Sequence, residues 1–261
     1  MNKELDLMLK TLHLPGLLAN WDEYLSLGAK SDFSHGRLLF HVVEQEYKLR
    51  KENSRKLRLQ RAKMPERYVI ETFPFNRQPR LNKKKLLTIY DSFEYMEKCQ
   101  NIIWIGPPGS GKSGLAISFL TQAINKGKNG LFISFPKLIT MLYNSIADHS
   151  EDMLLKKLAA YDCLLIDELG YVEVEQAQVG LFFALMNERH KKKTTLITSN
   201  LGFSQWGTFL KNDHLTAALL DRLTETSHII NMNRCNSLRS KLDETNQEIA
   251  DTHQNNNEEK N

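Results

Sequence analysis

The sequence predicts an α/β protein: a parallel sheet sandwiched by helices, preceded by a small all-α domain. Three observations carry the prediction. From residue 81 to 245, short runs that are apolar nearly throughout alternate with helical stretches. Such strands, with helices between them, are what a parallel sheet covered on both faces requires. One run passes straight into the octapeptide Gly106-Pro107-Pro108-Gly109-Ser110-Gly111-Lys112-Ser113, which opens a helix. Residues 1–64, by contrast, carry apolar positions at helical spacing.

In chain order, Leu5, Leu9 and Leu12 share one helix face, as do Leu38, Leu39, Val42 and Val43. Leu14-Pro15-Gly16 breaks the first helix or restarts a second. Residues 65–80 hold Pro65, Pro74 and Pro79 and read as a linker. Phe73 and Phe75 are too apolar for a free tether, so part of this linker is expected to dock. The strands expected in region 81–245 are Ile102–Ile105, Leu131–Phe135, Cys163–Ile166, Thr194–Thr198 and His228–Met232, with a helix over Lys112–Lys126. Residues 246–261 are too polar to bury a core and are expected to be disordered.

Composition sets bounds without choosing a function. The chain has 261 residues, 41% hydrophobic and 25% charged, with a formal net charge of only +4, so its whole-chain charge does not point to nucleic acid. No apolar run approaches the roughly 18–20 residues of a membrane helix. The first ten residues alternate charged and apolar types, unlike a signal peptide. Cys99, Cys163 and Cys235 stand far apart, with neither metal-ligand nor disulfide spacing, which suits reduced thiols in the cytoplasm.

The octapeptide fits G-x-x-x-x-G-K-[S/T], a phosphate-binding P-loop, and it lies between a strand and a helix as the chemistry demands. Gly106 to Gly111 let the backbone wrap phosphate oxygens with its N–H groups turned inward, and the following helix adds the positive end of its dipole. Lys112 is expected to reach the β- and γ-phosphates, and Ser113 to ligate Mg²⁺. Some sixty residues on, Cys163-Leu164-Leu165-Ile166 ends in two carboxylates. Asp167 suits Mg²⁺ held through water, and Glu168 is the candidate general base for an attacking water. A polar residue after the adjacent strand can orient that water, which makes Asn200 a candidate; an ordinary turn asparagine is the alternative. The order of the three motifs is that of an additional-strand P-loop ATPase hydrolysing ATP to ADP and phosphate.

These residues resemble the IstB-like transposition helper ATPases, AAA+ proteins related to the DnaC helicase loaders. The resemblance runs through Leu14-Pro15-Gly16-Leu17, the P-loop, Asp167-Glu168-Leu169-Gly170-Tyr171, Thr198-Ser199-Asn200-Leu201, Phe203-Ser204-Gln205-Trp206-Gly207 and Ala218-Leu219-Leu220-Asp221-Arg222-Leu223. It implies an ATP-dependent, duplex-DNA-binding protein that self-assembles and assists a DDE-type transposase in target selection. It also implies that Arg222 serves in trans, as a finger toward a neighbouring subunit's nucleotide; a salt bridge with Asp221 or Glu225 is the alternative. The family closes with a Gly-Glu-Ser-Tyr-Arg-Leu-like segment. Here Arg234-Cys235-Asn236-Ser237-Leu238-Arg239 stands instead, leaving Arg239 as the candidate for a second nucleotide-sensing arginine.

Between Lys48 and Lys63 eight basic residues face a single acid, Glu52. On a helix Lys48, Lys51, Arg55 and Arg58 form one stripe, which can track a phosphate backbone or serve simply as a solvated face. Two other clients fit the same engine: a replicative helicase, as for a DnaC-type loader, or the chain's own copies, with ATP gating assembly and turnover incidental.

Overall fold

The computed structural model describes residues 2–30, 34–172 and 174–239. The tail 246–261, expected to be disordered, lies outside the described residues. The chain forms two compact units, Met1–Gln60 and Arg61–Asn261.

The first unit is helical: α1 (Lys3–Thr11), α2 (Pro15–Ala19), α3 (Trp21–Gly28) and α4, which spans His35–Arg61. Asn2 caps α1 by accepting from the Leu5 N–H at 2.7 Å. Pro15 both ends the first helical run and opens α2, where a missing N–H costs nothing. The Glu46 carboxylate on α4 accepts from the Leu17 N–H at 3.0 Å, tying α4 to the start of α2. The four apolar residues expected on one α4 face divide. Leu38 and Val42 are half-buried, whereas Leu39 and Val43 face solvent with Phe40 and Tyr47.

The second unit contains α5 (Lys83–Ser92), α6 (Glu94–Glu97), β1 (Asn101–Ile105), α7 (Lys112–Asn125), β2 (Gly130–Ser134), α8 (Phe135–Ala147), α9 (Glu151–Ala159), β3 (Cys163–Leu169), α10 (Gln176–Arg189), β4 (Thr194–Ser199), α11 (Phe203–Leu210), α12 (Asp213–Thr224) and β5 (Ser227–Asn231). All five strands are parallel, in the order β2-β3-β4-β1-β5. The central strands are buried from end to end, which is why their sequence lacks polar alternation. Helix α7 packs on one face; Phe135, Leu138, Phe182, Leu185 and Leu219 build the core under α8, α10 and α12. Burying each such side chain stabilises the fold by roughly 1.5–3 kcal/mol. Trp206 is fully buried and fixes α11 to this core.

Two local departures from the sequence expectation have clear causes. Strand β2 stops at Ser134 because Pro136 fits the first turn of α8 and cannot donate to a ladder. Strand β3 runs three residues past Ile166, through a register shift between Ile166 and Leu169.

The segment 65–80 belongs to the second unit and makes short 3₁₀ turns at Ile70–Thr72 and Phe75–Arg77. Docking starts earlier: Ala62 is fully buried and its carbonyl accepts from the Phe132 N–H on β2 at 2.8 Å. Ile70 and Gln78 are also buried.

Candidate nucleotide site

The loop between β1 and α7 turns sharply at two glycines. Gly109 and Gly111 adopt φ of 76° and 94°, a left-handed conformation that side chains disfavour. A Cβ on Gly111 would also lie 2.6 Å from the Phe73 ring. Lys112 begins α7, and its ammonium donates to the Gly106 and Pro107 carbonyls at 2.7 and 2.8 Å. Burial pushes the Lys112 pKa down; Asp167 and Glu168 oppose that shift, while Arg239 adds to it. Both acids and a second cation therefore lie within electrostatic reach of this lysine.

The tip of β3 comes to the same place. Ser113 Oγ donates to Asp167 Oδ1 at 2.9 Å, pairing a hydroxyl with a carboxylate, the oxygen-donor set that Mg²⁺ accepts. Thr198 on β4 donates to the same Asp167 oxygen, and its Oγ1 accepts from the Glu168 N–H at 3.0 Å. Consecutive strand residues point to opposite faces, yet Asp167 reaches Ser113 at the cleft that Glu168 lines. The bulge explains this: Glu168 has φ 63°, breaking alternation, so Asp167 stays buried beneath Ser113 while Glu168 is exposed and lines the cleft.

The cleft encloses about 470 Å³. Gly109, Gly111, Lys112, Ser113, Glu168 and Asn200 line it, so residues from three distant motifs converge there. The Asn200 Oδ1 is buried without a hydrogen-bond partner among the described residues. Thr198, Tyr68, Val69, Thr72, Phe73 and Arg239 also line the cleft. The sequence reading had no role for Thr198 or for 68–73; the aromatic content of 65–80 was the available signal.

Arg222, in the last turn of α12, does not line this cleft. Its Nε donates to Asn187 Oδ1 at 2.9 Å, its Nη1 to the Ala218 carbonyl at 3.0 Å, and its guanidinium lies 4.8 Å from the Phe183 ring centroid. Glu225 instead pairs with Lys191 at 2.6 Å and His190 at 3.1 Å.

The basic stripe on α4 is partly neutralised by its own helix. Lys48 pairs with Glu44 at 2.7 Å, and Arg55 forms two hydrogen bonds to Glu52, at 2.8 and 2.7 Å. These cations hold both carboxyl pKa values below the usual range, chiefly through those hydrogen bonds. Arg58 donates to Ser54 Oγ, and Lys51 has no acidic partner among the described residues. In the Lys191–Lys193 turn, each lysine has an acidic partner: Glu225, Glu188 and Asp162.

Among the described residues no helix is long and apolar enough to cross a membrane. The chain is similar in fold to a crystal structure of DnaI, with TM-score 0.55 at 19% identity, covering 63% of this chain and 90% of that one. It is similarly related to the replication initiator DnaA bound to AMPPCP and single-stranded DNA, with TM-score 0.51 at 16% identity, covering 63% and 49%. The five-stranded parallel sheet with its P-loop thus has the fold of these structures. Over nearly the whole chain, a Pseudomonas aeruginosa protein named for ATP binding in insertion sequence IS21 is 31% identical across 229 residues, 88% of this chain and 86% of its own. A Geobacillus stearothermophilus protein named likewise for insertion sequence IS5376 is 28% identical across 221 residues, 85% and 88%. The family model described as IstB-like ATP binding protein matches residues 7–246, taking in helices α2 to α4 as well as the nucleotide fold, and the chain belongs to that family.

Proposed function

We propose that the protein is a Mg²⁺-dependent ATPase that binds duplex DNA, assembles with its own copies, and assists the DDE-type transposase of an insertion sequence. The observation that carries the ATPase reading is the 2.9 Å bond from Ser113 to Asp167, with Lys112 and Glu168 at the same cleft. Gly106, Pro107, Pro108, Gly109, Ser110 and Gly111 cradle the phosphates with backbone N–H groups, and Lys112 exchanges its loop carbonyls for phosphate oxygens. Ser113 and Asp167, the latter through water, would hold Mg²⁺, which would supply positive charge against the phosphates. Glu168 takes the proton of the attacking water. Asn200 orients that water through its Oδ1, which has no hydrogen-bond partner among the described residues. Tyr68, Val69 and Phe73 offer an apolar wall for the base.

Arg222 reaches a neighbour's nucleotide from outside this chain's own cleft, so turnover depends on assembly. DNA contacts are carried by the α4 stripe, with Lys51 and Arg58 ahead of Lys48 and Arg55, whose charge is already matched. The insertion-sequence names of the relatives favour a transposase over a helicase as client.

The test is Glu168→Gln. The variant is expected to bind ATP as tightly as wild type, to lose at least a hundredfold in turnover, and to hold DNA-bound assemblies longer. Wild-type turnover would remove Glu168 as the base.

A further inference from the structure

Gln78 lies in the proline-punctuated stretch that reads as a linker, yet it is only 1% exposed. A buried amide must place two donors and an acceptor. Its Nε2 donates to the Ser110 carbonyl in the P-loop at 3.1 Å and to the Asn236 carbonyl at 2.6 Å. Its Oε1 accepts from the Asn236 N–H at 2.9 Å. The side chain thus pairs with Asn236 as a strand edge would, while also gripping the loop that receives phosphate.

The chain that Gln78 grips then crosses the P-loop. After Asn236, the Leu238 N–H donates to the Gly109 carbonyl at 2.7 Å. Residues on this strap fit against the loop's glycines: a Cβ on Gly109 would sit 2.5 Å from Ser237 Oγ, and one on Gly111 2.9 Å from Leu238 Cδ1. The next residue, Arg239, lines the cleft. Among the described residues the strap is also held by the Cys235 N–H on the Met232 carbonyl at 2.9 Å and by Asn236 Nδ2 on the Arg77 carbonyl at 3.5 Å, but its bonds to the P-loop itself run through the Gln78 amide and the Leu238 N–H.

We propose that Gln78 is a positioning residue for the nucleotide, locking the 235–239 strap onto the P-loop and so setting Arg239 at the cleft. The proposal rests on the cleft being the ATP site. It accounts for glutamine at this position. A carboxylate would turn both donations into repulsions between oxygens, an aliphatic chain would orphan two carbonyls and an N–H, and asparagine would be too short by a methylene.

Cys235 supplies a readout of the strap alone. It is buried at the strap's start, and Cys163 is buried in the sheet, where desolvation pushes its thiol up to about 12. In full-length protein carrying Cys99→Ser, thiol labelling by a disulfide reagent is followed alongside ATP affinity for wild type, Gln78→Met and Arg239→Ala. Gln78→Met is expected to weaken ATP binding about tenfold or more and to label at Cys235 at least tenfold faster, with Cys163 still protected. Combining it with Arg239→Ala is expected to add little to either single loss, because both remove the same contact. Wild-type ATP affinity with Cys235 still protected would overturn the proposal, and so would fully additive losses. If Gln78→Met also exposes Cys163, Gln78→Asn takes its place, keeping a buried amide but withdrawing it from Asn236, with the same two outcomes. Failure of the wild type itself to bind ATP would remove the reading of the cleft and this proposal together, whereas a silent Gln78 in an ATP-binding protein removes only the proposal.

Discussion

Thr198→Val separates the work of one hydroxyl from that of the strand carrying it. The substitution is nearly isosteric, so the buried β4 position keeps its packing and no cavity opens. What is lost is a relay: the hydroxyl donates to Asp167 and accepts from the Glu168 N–H. Removing a hydrogen bond to a carboxylate costs roughly 1.5–3 kcal/mol, and the Glu168 N–H left without its acceptor adds about 1–3 kcal/mol where water cannot reach it. Part of that is recovered, because Asp167 keeps its bond from Ser113 and the backbone at Glu168 is free to leave a conformation that itself costs about 1–2 kcal/mol. The expected net loss of stability is therefore about 2–3 kcal/mol.

Turnover should suffer separately. Without the relay, the Glu168 N–H loses the acceptor that steadies the turn aiming its side chain into the cleft, and on the proposed role of Glu168 as base its misplacement costs on the order of 10–100-fold in kcat. Thr198→Ser keeps the hydroxyl and should stay within about threefold of wild type. The assays are urea unfolding and steady-state phosphate release on all three proteins. Equal kcat for the valine and serine variants would refute the relay, whatever their stabilities.

Three further outcomes follow from the geometry. Neutralising Lys51 and Arg58 together is expected to lower the slope of log DNA affinity against log salt by up to about 2, and neutralising Lys48 and Arg55 by clearly less, since Glu44 and Glu52 already match their charge; titrations at several salt concentrations decide it. Arg189→Met should destabilise the second unit by about 3 kcal/mol in urea unfolding, because the buried guanidinium donates to the carbonyls of Leu158, Ala159, Tyr161 and Thr194; a loss under about 1 kcal/mol would refute that account. Arg222→Ala and Glu168→Gln should each be inactive alone, yet an equal mixture should recover about a quarter of wild-type turnover if Arg222 acts on a neighbour's nucleotide; no recovery would place its effect within one chain.

What was legible in the sequence follows the range of the forces involved. The strands could be placed within a few residues because a sheet covered on both faces leaves nearly apolar runs at its centre, a local signal, although the edge strand β5 is only partly buried. The P-loop was legible for the same reason: its glycines, its lysine and its hydroxyl are contiguous. The docking of Gln78 was not, since its partners lie 32 and 158 residues away and a glutamine between an arginine and a proline looks like any surface residue. The pairing along the α4 stripe was hidden for a different reason. Counting Lys48 to Lys63 against Glu52 alone left out Glu44, one helical turn before the run, and treated charge as additive where pairs four residues apart cancel it.

The strand tip carries the sharpest instance. Adjacent acids after an apolar strand suggest two roles at one site, but a regular strand would send their side chains to opposite faces of the sheet. For Asp167 to stay beneath Ser113 while Glu168 enters the cleft, the backbone must break its alternation between them, and a non-glycine residue at φ 63° is the cost. Thr198 is what makes that cost bearable, by accepting the N–H that the bulge withdraws from the ladder. The placement of the two acids is thus a property of two strands, and any variant that restores regular pairing at β3 should keep Asp167 beneath Ser113 while taking Glu168 out of the cleft.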